Sequence, residues 1–281
     1  MEITLQRVLL VLFLVFVGLS LYVGRVSAGE QSFSYDGYAD VLNRFVDDDG
    51  MVAYKRLKKS RTGLDGFVTD IGAMEKDIYR AMTRNEKVAF WVNAYNAFTL
   101  KAIIDHYPIK ASGLTAMRFP KDSIRQISGV WDGLKFSVMG RDMTLDYIEH
   151  KVLRKLFKEP GIHMALVCAS MSCPSLRNEP FYGERLGEQL EEQAKGFLRD
   201  PKKFKIDRGD KEVHLSQIFK WFGNDFKANF APTGGFKGHD KEERASLNYI
   251  SQHIGPSDAE YLRSGDYDIE YLDYDWSLNQ Q

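Results

Sequence analysis

The chain has 281 residues, 44% of them hydrophobic and 27% charged, with 38 Lys and Arg against 39 Asp and Glu. That composition excludes a disordered chain, a collagen-like chain and a disulfide-dense small scaffold. A net charge of −1 supplies no field of one sign to draw in nucleic acid or an anionic membrane, so no nucleic-acid partner is expected.

The first segment reads as an address. Arg7 precedes an apolar run from Val8 to Val23, and Val26, Ser27 and Ala28 resemble a signal-peptidase site. Positive, apolar and small in that order predicts a secretory signal peptide over 1–28, which places the body in the periplasm or outside the cell. Left uncleaved, the same segment would tether the protein to a membrane, since it is near the ~17-residue lower limit of a spanning helix. Residues 29–281 contain no long linker, repeat or low-complexity stretch, and read as a single globular domain.

Within that domain Tyr38 to Val46 predicts a short helix, and Asp47, Asp48, Asp49 and Gly50 a turn before a strand at Met51 to Tyr54. The acidic run is no calcium loop, because Phe45 and Arg56 would occupy essential ligand positions. Thr83 and Glu86 form a capping-box pattern that starts a long helix running to about His106, ahead of Pro108. Val88, Trp91, Val92, Tyr95, Phe98 and Ile103 make one apolar stripe, and Phe90, Ala94, Ala97, Leu100 and Ile104 the other, so this spine is expected to be buried nearly all round. Trp131 to Leu134 predicts a hairpin turn returning through Phe136 to Val138. Thr144 caps a helix over Leu145 to Phe157, and Gly161 to Cys168 reads as a buried strand entering a polar loop. Helices are expected over Glu184 to Leu198, Gln217 to Phe226 and Ala245 to Ile254. A hairpin is expected over Lys203 to Leu215, turning at Asp207 to Asp210, and a closing strand at Asp268 to Leu272. Strands without regular β-α alternation point to an α+β fold: a helix-rich single domain with a small mixed or antiparallel sheet around a buried central helix.

Three groups of residues can carry chemistry. Asn93 and Asn96 sit three apart in the spine, where a buried carboxamide must find partners. They either fix a loop's backbone against the helix or orient a catalytic group. Glu149 interrupts the stripe Leu145, Ile148, Val152 and Leu156, and His150 shares a face with Arg154. This set is either an ion-pair network or a source of general acid or base. Cys168, Ser170, Ser172, Cys173 and Pro174 form the most distinctive stretch. Cys168 at the end of the predicted strand is a candidate nucleophile. His163 is near in sequence, but five residues along a strand would put it on the opposite face, which makes His150 the better base. An even pair of cysteines in an exported protein equally supports a Cys168–Cys173 disulfide. No metal motif, phosphate loop or nucleophile elbow occurs, so no cofactor and no metal is expected.

These residues resemble the domain of unknown function 547 family. The resemblance rests on Trp91, Asn93, Tyr95 and Asn96; on Ile148, Glu149, His150, Leu153 and Arg154; and on Cys168, Ser170, Ser172, Cys173 and Pro174. It continues through Trp221, Asp225 and Phe226 to Tyr274, Asp275, Trp276, Ser277 and Leu278. It implies no established activity. The position of Cys173 can be Ser in relatives, which implies that Cys168 is the shared chemical group. Fusions of some members to glutaredoxin point the same way by association.

Two functional readings follow. In the leading one the protein is an exported thiol-dependent hydrolase or transferase: Cys168 attacks an amide or thioester of a small-molecule or peptide substrate, with His150 or Glu149 as base and Asn93 and Asn96 orienting the site. In the other, the protein is a non-enzymatic binding or structural module, and the same groups hold a loop closed by a Cys168–Cys173 disulfide. Thiol–disulfide exchange ranks behind both, because Cys-x4-Cys is wider than the usual redox pair.

Overall fold

The computed structural model describes residues 32–111 and 113–281; the signal-peptide reading of 1–28 lies outside them. Ser34–Gln281 packs as one compact unit. Its first half is helical: α1 (Asp36–Phe45), α2 (Tyr54–Lys59), α3 (Thr62–Ala73), α4 (Lys76–Ala81) and α5 (Arg84–His106). The capping box forms as expected. The Glu86 amide donates to the Thr83 hydroxyl, and the Thr83 amide donates to the Glu86 carboxylate. Every residue from Val88 to Leu100 is buried, together with Ala102, Ile103 and Ile104, because both faces of the helix are apolar. Helices α2 and α3 cover it on one side, and Phe98 stacks on Phe136 on another.

After α6 (Thr115–Arg118), β1 (Phe136–Val138) pairs antiparallel with β2 (Arg141–Met143). The turn of this hairpin is at Met139 and Gly140, not at Trp131 to Leu134. Gly140 takes φ +73°, a conformation glycine reaches without a Cβ clash, while Gly129 and Gly133 approach each other within a separate turn. Two further expectations fail. Met51 to Tyr54 makes only single bridges through Val52, and Tyr54 already opens α2. Gly161 to Cys168 is no strand: Pro160–Met164 is a 3₁₀ turn followed by an irregular stretch that joins no sheet. The apolar run reported burial correctly, but burial alone does not separate a strand from a packed irregular segment.

Thr144 caps α7 (Leu145–Tyr147), as its hydroxyl accepts from the Tyr147 amide. The helix then continues as a π-helix over Ile148–Phe157. The wider turn rotates the predicted stripe, so Ile148 and Val152 stay buried while Leu156 is exposed.

The second half contains α8 (Leu186–Arg199), the hairpin β3 (Phe204–Asp207) and β4 (Glu212–Leu215), then α9 (Gln217–Phe230), α10 (Lys241–Ser251), α11 (Pro256–Ser264) and β5 (Asp268–Tyr271). Strand β5 lies parallel to β4, which makes a three-stranded mixed sheet in the order β3-β4-β5. The class is α+β, helix-rich with two small sheets. Phe197, Leu215, Phe219, Phe226, Leu247, Ile250 and Leu262 form a core here that reaches Met164. The segment from Pro160 to Pro174 therefore runs from this core to the spine.

Candidate functional site

The irregular segment must satisfy its buried backbone without a helix or sheet ladder of its own. Asn96 supplies two of the bonds: its amide donates to the Ala165 carbonyl at 3.0 Å, and its carbonyl accepts from the Val167 amide at 2.9 Å. Gln193 of α8 donates to the Met164 carbonyl. The last residues of the chain supply more. The Met171 amide donates to Ser277, the Ser172 amide to Asp275, and the Asn279 amide to the Ala169 carbonyl. Asn93 acts in the same way one turn earlier, pairing with both the carbonyl and the amide of Phe181 at 2.8 and 2.9 Å. Both asparagines are thus engaged with backbone, and neither lines the cleft described next.

That cleft, about 270 Å³, opens where α5, the π-helix, the Cys168–Pro174 loop, α9 and the final segment meet. Tyr95, Glu149, His150, His163, Cys168 and Tyr274 line it together with Trp131, Trp221 and Trp276. A larger hollow of about 430 Å³ lies between Asn85, Glu159, Leu190 and His253, but none of the nominated residues reaches it. The cleft is the better site, because Cys168, Glu149 and His150 converge there.

Cys168 and Cys173 are joined by a disulfide, with Cα atoms 6.1 Å apart. Ala169, between Cys168 and Ser170, takes φ +58° to turn the loop. The Tyr274 hydroxyl lies 3.3 Å from the Cys173 sulfur and 3.4 Å from the Cys168 sulfur, and accepts from the Ser170 hydroxyl at 3.3 Å. Burial pushes the Tyr274 phenol well above its ordinary range, so it remains a neutral donor against the disulfide.

In the same cleft the Tyr95 hydroxyl donates to Glu149 at 3.2 Å. Burial, then the Glu149 charge, raise the Tyr95 phenol well above its usual value, which keeps the proton on Tyr95. His150 is held at both nitrogens. Arg154 lies 2.6 Å from Nδ1 and Asp146 lies 3.1 Å from Nε2. A guanidinium only donates, so Nδ1 accepts and Nε2 donates to Asp146. This leaves His150 no free lone pair with which to take a proton from substrate.

Arg154 also forks onto Asp225 at 2.5 and 3.1 Å, and His163 Nε2 lies 2.8 Å from the same carboxylate. Burial alone would raise the Asp225 carboxyl. The hydrogen bonds from His163 and Arg154, and then their charges, outweigh that and hold it well below the usual carboxylate range. His163 stacks on Phe222 with ring centroids 4.2 Å apart. It lines the same cleft as Cys168, so the opposite-face argument fell with the strand that supported it.

The profile of a family described as a protein of unknown function, DUF547, matches residues 79–198. This part of the chain is a DUF547 domain. The match spans α5, the π-helix and the disulfide loop, the first three blocks of motif residues. Trp221, Tyr274 and Trp276, which complete the cleft, and Asp225, which holds Arg154 and His163, lie beyond it. No curated protein and no solved structure matches the chain.

The cleft residues that the reading of single motifs missed are Arg125, Trp131, His163 and the aromatic trio Trp221, Tyr274 and Trp276. Arg125 and Trp131 stand in no periodic pattern. Trp221 and the Tyr274–Leu278 block were visible as motif residues without an assigned role.

Proposed function

We propose that this protein is an exported, non-enzymatic binding module whose cleft takes a small molecule or peptide. The disulfide carries the reading: with both sulfurs bonded, Cys168 has no thiolate to attack an acyl carbon. The other nominated groups are also committed. Asn93 and Asn96 hold backbone, and His150 bridges Arg154 and Asp146. The order of charges and apolar residues over 1–28 supports export, and a disulfide is compatible with it.

A second reading is favoured by one observation: Cys168 shares the cleft with Glu149 and with the His163–Asp225 pair. After reduction by a dithiol, Cys168 would be a thiol in a cleft that also holds a carboxylate and an oriented imidazole. Its sulfur would then attack the acyl carbon of an amide or thioester, with Glu149 rather than His150 taking the thiol proton and returning it to the departing amine or thiol, and water would cleave the resulting acyl-thioester to a carboxylic acid and free Cys168.

The test is intact-mass analysis of the exported protein after alkylation without reduction, followed by acyl-thioester turnover assays on oxidised and reduced samples. No alkylation and no turnover in either state supports the module. Turnover that requires reduction and disappears in Cys168→Ala would establish the enzyme instead.

A further inference from the structure

One charged side chain in the cleft has no carboxylate partner. The Arg125 guanidinium stands 4.4 Å from the ring centre of Phe119, 5.0 Å from that of Trp276 and 5.3 Å from that of Trp131. The other cation at this level, Arg154, is forked onto Asp225, whereas among the described residues Arg125 makes no ion pair. Rings stabilise a guanidinium through their faces, but they leave its N–H groups in the ring plane to find other acceptors. Burial and the nearby charge of Arg118 both act against the ionised form of Arg125. An incoming anion relieves both.

The rest of the cleft limits which anion fits. Trp131 touches both Arg125 and Tyr95, with Arg125 over its ring and Tyr95 within hydrogen-bond reach of its side chain. Glu149 and Asp146 both line the same space. A phosphate dianion would face two carboxylates, whereas a monoanion meets Arg125 with one charge. Trp221 is 46% exposed and stacks near Trp276, which extends an aromatic wall to the mouth. A volume of about 270 Å³ suits a body of one or two rings.

We propose that the cleft binds a small carboxylic acid with a planar apolar body, its carboxylate paired in plane with the Arg125 guanidinium and its body against Trp131, Trp221 and Trp276. This rests on the binding-module reading and names its ligand class. Arg125 is then the residue that sets specificity for the acid.

The full-length oxidised protein can be titrated calorimetrically with indole-3-acetate, with its neutral amide and with inorganic phosphate. The acid should bind at least about tenfold more tightly than the amide, the scale of one charge-assisted hydrogen-bonded pair. Phosphate should not compete. In Arg125→Gln the acid and the amide should become equal, and Arg125→Lys should restore part of the preference. Equal binding of acid and amide by the wild type would overturn the carboxylate seat while leaving the binding cleft standing. Phosphate binding as tightly as the acid would overturn the ligand class. Binding of none of the three would overturn the carboxylate seat, while the module reading stands or falls separately on the alkylation and turnover test. The wild-type ratio of acid to amide decides the question even if Arg125→Gln fails to fold.

Discussion

The spine α5 and the segment from Pro160 to Pro174 are both buried, but they settle their backbone in opposite ways. In α5 each amide finds a carbonyl four residues back, and Thr83 and Glu86 close the first turn. The later segment makes few bonds to itself. It takes partners from Asn96, Gln193 and the residues between Asp275 and Asn279. A helix can therefore lose one side chain and keep its ladder. The irregular segment depends on particular side chains elsewhere, and one of these belongs to α5 itself. This dependence places the cleft wall: the residues that face Glu149 and Trp131 are held there by atoms far away in sequence.

The comparison can be broken most sharply at Asn96. Asn96→Leu leaves the Ala165 carbonyl and the Val167 amide buried without partners, at ~1–3 kcal/mol each. A loss of about 2–5 kcal/mol in urea denaturation is expected, while Val92→Ala in the same helix should cost only its buried methyl groups. A loss below ~1 kcal/mol for Asn96→Leu would show that the segment stands without the spine.

The next effect belongs to the disulfide. Cys168 and Cys173 enclose a loop with a sequence separation of 5, for which chain entropy gives ~2 kcal/mol. The double variant Cys168→Ser, Cys173→Ser should lower the unfolding free energy by about that amount and increase hydrogen exchange at Ala169 to Ser172. Exchange that spread instead into α5 would contradict the separation drawn between the two regions.

Thr83→Ala removes one partner of the capping box and should cost about 1 kcal/mol, with fraying confined to the first turn of α5. Circular dichroism melts and amide exchange at Arg84 to Lys87 would measure it.

The last effect appears only in acid. Asp225 is held below its unfolded value by His163 and Arg154, so its contribution is complete above about pH 4 and is lost as the pH falls further. Asp225→Asn should remove that part of the acid limb whatever its stability at neutral pH. An unchanged acid limb would assign the loss to other carboxylates.

Some of this was legible in one dimension. The capping box, the all-round apolar spine, the Thr144 cap and the β3–β4 hairpin are local codes, since each depends on residues within a few positions of one another. The two asparagines could be recognised as needing partners, because a buried amide is costly wherever it sits. The strand at Gly161 to Cys168 was misread, because an apolar run signals burial without stating which backbone partners will be present. His163 was set aside on the geometry of that absent strand.

By itself, then, the sequence determined the helices with their caps, the burial of α5, the membership of 79–198 in DUF547 and the supply of two cysteines close enough to bond. Tertiary structure alone decided that Cys168 and Glu149 line one aromatic cleft and that His150 is spent on Arg154 and Asp146. It also left Arg125 among three rings with no carboxylate partner among the described residues. The physical reason is range. Helix caps and periodicity act within a turn or two of chain, whereas the cleft is assembled from α5, the π-helix, α9 and the final residues, which meet only after the two cores have packed.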